Sequence, residues 1–266
     1  MPTQHFETIK IDVTPEGACT LLLNRPKVHN AFDEFMIEDI TNALQQLRAD
    51  EAVRVLCIKG AGASFCAGAN LNWMKRTAEY AQEENYRDAL RMANMMYSLY
   101  SFPKPTVAVV HGAVYGGGVG LIACCDIVLA ESSTVFSLSE VKLGLIPAVI
   151  GPYVVNAMGT RSAKRYILTG ERFDASAACR SGLVQESTDA ELLAESEAEI
   201  MRELLSCGPN AQKVAKSLVI EKFSPSMGEE IQKHTAGLIS KIRASEEGKE
   251  GVGAFLDKRS PAWRKY

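Results

Sequence analysis

KPTVAVVHGAVYGGGVGLIACCDIVLAESSTVFSLSEVKLGLIP, residues 104–147, holds two buried-strand runs separated by a glycine triplet. Pro103 and Pro105 favour extended backbone around them and so set up the first strand, Val107 to Val110. Gly116-Gly117-Gly118 follows, then a short apolar helix expected over Leu121 to Cys125 and a second strand over Ile127 to Ala130. The stretch ends with one acid, Glu140, in an otherwise apolar run. Glycines that open a helix leave main-chain N–H groups free at the positive end of the dipole. Such a turn suits an anion, or an oxygen that gains negative charge during a reaction. It equally suits a tight helix–strand contact in which glycine only avoids a clash.

Before this segment, residues 5–12 and 18–23 alternate as strands and are joined by a turn at Pro15-Glu16-Gly17, a hairpin. Asn30 reads as the cap of a helix over Ala31–Leu47, with Phe32, Met36, Ile40 and Leu44 at helical spacing. Val53 to Ile58 is a further buried strand. A small-residue loop, Gly60 to Leu71, follows it, and residues 71–100 read as helical with a polar middle at Thr77–Tyr86. Strand, glycine loop and helix thus occur twice in succession, which predicts an α/β fold with a site at the ends of successive strands. Beyond Gly151 the pattern turns helical: 151–158, 160–169, 174–180, then 189–206, 208–222 and 227–245, with a short strand near Leu183–Glu186 and a last helix stopped by Pro261. The expected organisation is an α/β core over 1–190 and a helical extension over 191–266.

The chain has 266 residues, 47% of them hydrophobic, and a net charge of −3, which argues against a nucleic-acid groove. No apolar run approaches the ~20 residues of a membrane span. The N-terminal MPTQHFETIKI has no signal-peptide core, and the seven cysteines are odd in number without metal-type spacing. The expected compartment is the cytoplasm. The four histidines are scattered and form no HExxH, so no metal is expected.

Two glycine loops, each offering one N–H, make an oxyanion hole if they converge. Glu140, if desolvated, would have a raised pKa and suit proton transfer; alternatively it pairs with Lys142 or ends a helix. On LNRPKVHNAF (23–32), SFCAGANL (64–71), GAVYGGGVGLIACCDIVLA (112–130), FSLSEVKLGLIP (136–147) and AFLDKRSP (254–261), the chain resembles the crotonase, or enoyl-CoA hydratase/isomerase, family over essentially its whole length. CAGANLNWMK (66–75) with GGGVGLIACCDI (116–127) is similar to bacterial methylglutaconyl-CoA hydratases of leucine breakdown.

The resemblance implies a crotonase-like fold of repeated β-β-α units, a homotrimer or homohexamer built partly by the C-terminal extension, and an acyl-CoA thioester as substrate. Coenzyme A then arrives as part of the substrate, with no separate cofactor. By motif position, the amides of Ala69 and Gly117 would hold the thioester oxygen, and Glu140 matches one of two hydratase glutamates. Ala67, Gly68, Asn70 and Leu71 would line the substrate site. Arg25, Lys27, Phe255 and Lys258 match positions near the nucleotide end of coenzyme A; for Arg25 and Lys27 ordinary surface charge is the competing reading. Three positions depart from the pattern. Gly120 stands in place of the first glutamate, Ala148 in place of a glycine, and Asn70 in place of an acid.

These departures keep two reactions open, hydration of an α,β-unsaturated acyl-CoA and double-bond isomerisation by one base. A decarboxylase or thioesterase on the same scaffold is a further alternative. Gly120 would leave room for a branched or carboxylate-bearing acyl chain, with Asn70, Asn72, Lys75 and Arg76 as candidates to bind a second carboxylate. Two readings outside this family fit poorly. Residues 118–123 fit G-x-G-x-x-A, but the strand ends too early for a dinucleotide fingerprint. The helix over 31–47 carries Asp33, Glu34, Glu38 and Asp39 with no lysine or arginine, contrary to RNA binding.

Overall fold

The computed structural model describes residues 6–220 and 228–263. In chain order its elements are β1 (Ile9–Val13), β2 (Ala18–Leu23), α1 (Glu34–Ala49), β3 (Val55–Gly60), α2 (Leu71–Ala78), α3 (Gln82–Tyr100), β4 (Thr106–Val110), β5 (Ala113–Tyr115), α4 (Gly117–Ala123), β6 (Ile127–Glu131), β7 (Val135–Ser137), a 3₁₀ turn (Ser139–Leu143), α5 (Gly151–Thr169), β8 (Arg172–Asp174), α6 (Ala175–Ser181), β9 (Glu186–Thr188), α7 (Ala190–Ser206), α8 (Pro209–Leu218), α9 (Glu229–Ala244) and α10 (Glu246–Leu256).

One sheet has the order β1-β2-β3-β4-β6-β9; β5, β7 and β8 form a second. The β1–β2 hairpin is antiparallel, and all other neighbours in the large sheet are parallel. A parallel sheet is covered on both faces, and the unbroken apolar runs of β3 and β4 answer to that. Leu56, Ile58, Ala108 and Val110 face the main core with α1 and α3 residues such as Ile40 and Met96. Val55, Cys57, Val107 and Val109 face the other way and are covered by Leu193, Met201 and Leu204 of α7.

The β-β-α repeat is visible in how the chain changes sheets. β4 gives way to β5 and then α4; β6 gives way to β7 and then the 3₁₀ turn. After β3, Cys66 bridges Val114 in parallel before α2 begins. The crossing from β4 to β5 is so tight that a Cβ on Gly112 (φ +62°) would lie 2.0 Å from the Ala63 carbonyl oxygen. Only glycine fits there. At the C-terminal end, α9 lies along α3, and α10 packs on α2 and the 3₁₀ turn.

Several expected elements shift. α1 starts at Glu34 and is capped by Asp33, whose Oδ1 accepts from the Met36 N–H at 3.1 Å; Asn30 is not the cap. The predicted 71–100 helix divides into α2 and α3. α4 starts four residues earlier than expected, directly on the triplet. The strand expected at Leu183–Glu186 is β9, while Leu183 and Val184 are core residues after α6. β5, β7 and β8, three residues each, are strands beyond those expected from the sequence. Position 5 of the first expected strand, and positions 221–222 and 227 of two expected helices, lie outside the described residues.

Candidate active site

The two glycine loops meet side by side. The Cys66 N–H donates to Ala113 O at 3.1 Å and the Tyr115 N–H to Cys66 O at 2.9 Å, which sets Cys66 opposite Val114. Carried forward, that register sets Gly68 beside Gly116 and Ala69 beside Gly117. A Cβ on Gly116 would indeed lie only 3.9 Å from Gly68 Cα. On its other edge the loop is held by Phe32, whose N–H donates to Gly68 O (2.7 Å) and whose carbonyl accepts from the Asn70 N–H (2.8 Å). Extended backbone alternates its polar groups, so the Ala69 amide points away from Phe32. Gly117 opens α4, where an amide has no intrahelical acceptor. Neither amide has a protein acceptor among the described residues.

Glu140 stands on the 3₁₀ turn that leaves β7. Its Oε1 lies 3.1 Å from where a Gly116 Cβ would be, close against the triplet. Gly116 takes φ 48°, ψ −115°, a conformation that strains any other residue. Counted with its backbone, Glu140 is half-buried, but its Oε2 is inaccessible and has no hydrogen-bond partner among the described residues. Burial pushes the carboxyl pKa up to about 7, opposed by a hydrogen bond from the residue's own backbone. The Glu140–Lys142 pair does not form. The Lys142 chain lies over Gly170, and its charge acts on Glu171.

Ala69 and Gly116 of this group border a cavity of about 760 Å³, with Gly117 and Glu140 next to them behind its wall. Lys27, Ala67, Gly68, Ala69, Asn70, Leu71 and Phe255 line it, whereas Gly117, Gly120, Glu140, Arg25 and Lys258 are not part of its wall. Arg25 is turned to Asp33 in an ion pair at the start of α1. Lys258 follows α10 in left-handed backbone, φ 55°. Gly120 does not open space for an acyl chain, because a Cβ there would meet Ile150 Cγ2 at 2.1 Å. Ile150 fills the volume. Asn70 uses its Oδ1 to cap α2, accepting from Asn72 N (2.9 Å) and Trp73 N (3.4 Å). Arg76 is held by both oxygens of Glu34, at 2.6 and 2.7 Å. Asn72 faces the cavity; Lys75 is exposed and outside its wall.

Two features escaped the sequence reading. Asn30 sits fully buried at φ 53° and ties the two loops together. Its Oδ1 accepts from Arg25 N (2.8 Å), and its Nδ2 donates toward the carbonyls of Ala61, Ser64 and Phe65 at 2.9 to 3.1 Å. The polar end of a cap candidate is also the end that tolerates left-handed backbone, so the residue type carried both meanings. The other is a cluster at the cavity wall. Arg243 of α9 pairs with Asp88 of α3 at 2.9 Å and lies over the Trp73 ring, whose Nε1 donates to the same aspartate at 3.2 Å. No local signal joins residues so far apart in the chain.

The enoyl-CoA hydratase/isomerase family model matches residues 14–266. A crystal structure of an enoyl-CoA hydratase from Shewanella pealeana is similar at 41% identity and a TM-score of 0.80, covering 97% of this chain and 96% of that one. A Thermus thermophilus protein, assigned provisionally as an enoyl-CoA hydratase, is 32% identical over 252 residues, 94% of this chain and 99% of its own. The 2,3-dehydroadipyl-CoA hydratase of Escherichia coli is 29% identical over 245 residues, 92% of this chain and 94% of its own. With the β-β-α architecture, these matches establish that the chain is an enzyme of the enoyl-CoA hydratase/isomerase, or crotonase, family.

Proposed function

We propose that the protein adds water across the α,β double bond of an acyl-CoA thioester, with 3-methylglutaconyl-CoA, an intermediate of leucine breakdown, as its substrate. The observation that carries this reading is the buried Glu140 carboxyl set against Gly116, its Oε2 without a hydrogen-bond partner among the described residues, beside two main-chain amides that are free there. The Ala69 and Gly117 amides donate to the thioester oxygen and hold the enolate that forms as water attacks, each such donor contributing about 2.7–4 kcal/mol to the barrier. Glu140 takes a proton from the attacking water, whose oxygen bonds to the β-carbon. The resulting carboxylic acid returns that proton to the α-carbon, so one water is consumed and the glutamate is restored. A carboxyl titrating near neutrality is matched to both halves of that transfer. Adding water transfers no electrons to an acceptor, so the chemistry calls for no redox cofactor.

Lys27 and Phe255, with Arg25 and Lys258, are proposed to meet the nucleotide end of coenzyme A, and residues 191–266 to build a trimer or hexamer in the cytoplasm. The test is direct. Purified protein given 3-methylglutaconyl-CoA is expected to lose the enoyl-thioester absorbance; an unchanged spectrum at high enzyme concentration counts against hydration. A second reading is supported by one observation: among the described residues, no aspartate or glutamate lines the cavity. A lone base suits a double-bond isomerase, and turnover of a 3-enoyl-CoA without hydration would select it.

A further inference from the structure

The small sheet places one row of side chains toward the cavity. Tyr115 pairs with Ser137 in the parallel β5–β7 register, and Ser137 with Arg172 in the antiparallel β7–β8 register. All three line the cavity. The next row, Val114–Phe136–Phe173, faces the core, with Phe136 and Phe173 stacked at 5.5 Å, as strand alternation requires. The row facing the cavity borders the reacting groups. Tyr115 precedes Gly116, whose N–H donates to Ser137 O at 2.9 Å, and Glu140 follows Ser137 by three residues. Arg172 therefore belongs to the chemical end of the cavity.

Its charge is also uncompensated. Among the described residues, five cations, Lys27, Lys142, Arg172, Arg243 and Lys249, line the cavity and no acid does. Arg243 is neutralised by Asp88, and Lys142 acts on Glu171. Arg172 makes no ion pair among the described residues; its guanidinium lies 5.7 Å from the Tyr115 ring centroid, a contact that steadies the group and leaves its donors free.

Resting on the hydratase reading above, we propose that Arg172 selects acyl chains that end in a carboxylate, by pairing its guanidinium with that group. This gives the enzyme its preference for dicarboxylic over monocarboxylic acyl-CoA. An acyl carboxylate and a coenzyme A phosphate share the same chemistry as ligands of an arginine, and the test separates them.

Binding of glutaryl-CoA and butyryl-CoA, which differ in the terminal carboxylate, is measured by calorimetry on the intact protein and on Arg172→Gln and Arg172→Lys. A charge-assisted contact is worth about 10- to 100-fold in affinity. Arg172→Gln is expected to weaken glutaryl-CoA by that factor, to change butyryl-CoA by less than about twofold, and to leave the oligomeric state unchanged; Arg172→Lys recovers part of the loss. Equal weakening of both thioesters assigns Arg172 to the coenzyme A phosphates and overturns the proposal. An altered oligomer, or no change for either ligand, overturns it too. Because binding is read without turnover, a protein that discriminates the two but hydrates neither 3-methylglutaconyl-CoA nor crotonyl-CoA refutes the hydratase reading alone. One that hydrates both with indifference to Arg172 refutes this inference alone.

Discussion

Replacing Glu140 with glutamine removes an ionisation while keeping the side chain's shape. In the folded protein the carboxyl titrates at about 7, against an ordinary value of 4.5. Below the lower value both folded and unfolded chains carry the proton, and above the higher value neither does. Between them the folded state holds a proton that the unfolded state has released, so wild-type stability falls as pH rises from about 4.5 to about 7. At 1.36 kcal/mol per pH unit the full fall is about 3 kcal/mol. Glu140→Gln lacks this slope. Urea denaturation of both proteins at equal concentration, at about pH 4.5 and about pH 8, is expected to show the difference between them shifting by about 3 kcal/mol in favour of the variant at the alkaline end. The same substitution is expected to lower kcat by about 10²–10⁴-fold and to leave acyl-CoA affinity in place, and the wild-type kcat/KM profile should carry an acidic limb near pH 7. A difference that does not change with pH would mean that the carboxyl is solvated. Full activity in the variant would remove Glu140 from the chemistry.

Gly116→Ala forces a side chain into backbone at φ 48° and against Glu140 Oε1, so kcat is expected to fall at least about 100-fold with a smaller change in ligand affinity, measured by steady-state kinetics beside calorimetry. Gly120→Ala drives a methyl into Ile150 and is expected to cost about 1–3 kcal/mol in urea titrations, part of which Ile150→Gly restores in the double variant; independent, additive effects would contradict the packing described. Asn30→Ala loses the bonds that join residues 25–30 to 61–65 and strains a left-handed position, with an expected loss of about 3 kcal/mol or more; a loss below about 1 kcal/mol would show that the two loops are held by other contacts.

The large sheet was legible because parallel strands leave a plain trace: Val55–Ile58 and Val107–Val110 are continuous apolar runs bounded by glycine or proline. The break at Gly159 inside α5 was legible for a similar reason, since glycine there takes φ 72°, ψ 154°. The small sheet was not, because three residues carry too little periodicity to be told from a loop. That sheet supplies the row holding Tyr115, Ser137 and Arg172, so no local pattern marks Arg172 as a cavity residue. Of the site, the two glycine loops and Glu140 stood out by composition. Whether Glu140 would pair with Lys142 depended on Gly170 and Glu171, thirty residues on, and whether Gly120 meant space depended on Ile150. Neither was decided by the local sequence; each turned on which distant side chain the topology brings to the same place.

In the proposed mechanism, two main-chain donors and one buried acid act on a single thioester. A crystal structure with acetoacetyl-CoA bound tests it most directly. The thioester oxygen is expected within about 2.7–3.1 Å of both the Ala69 and the Gly117 nitrogen, with the Glu140 carboxylate beside the β-carbon. An oxygen that reaches only one of those amides, or a β-carbon turned away from Glu140, would rule this mechanism out.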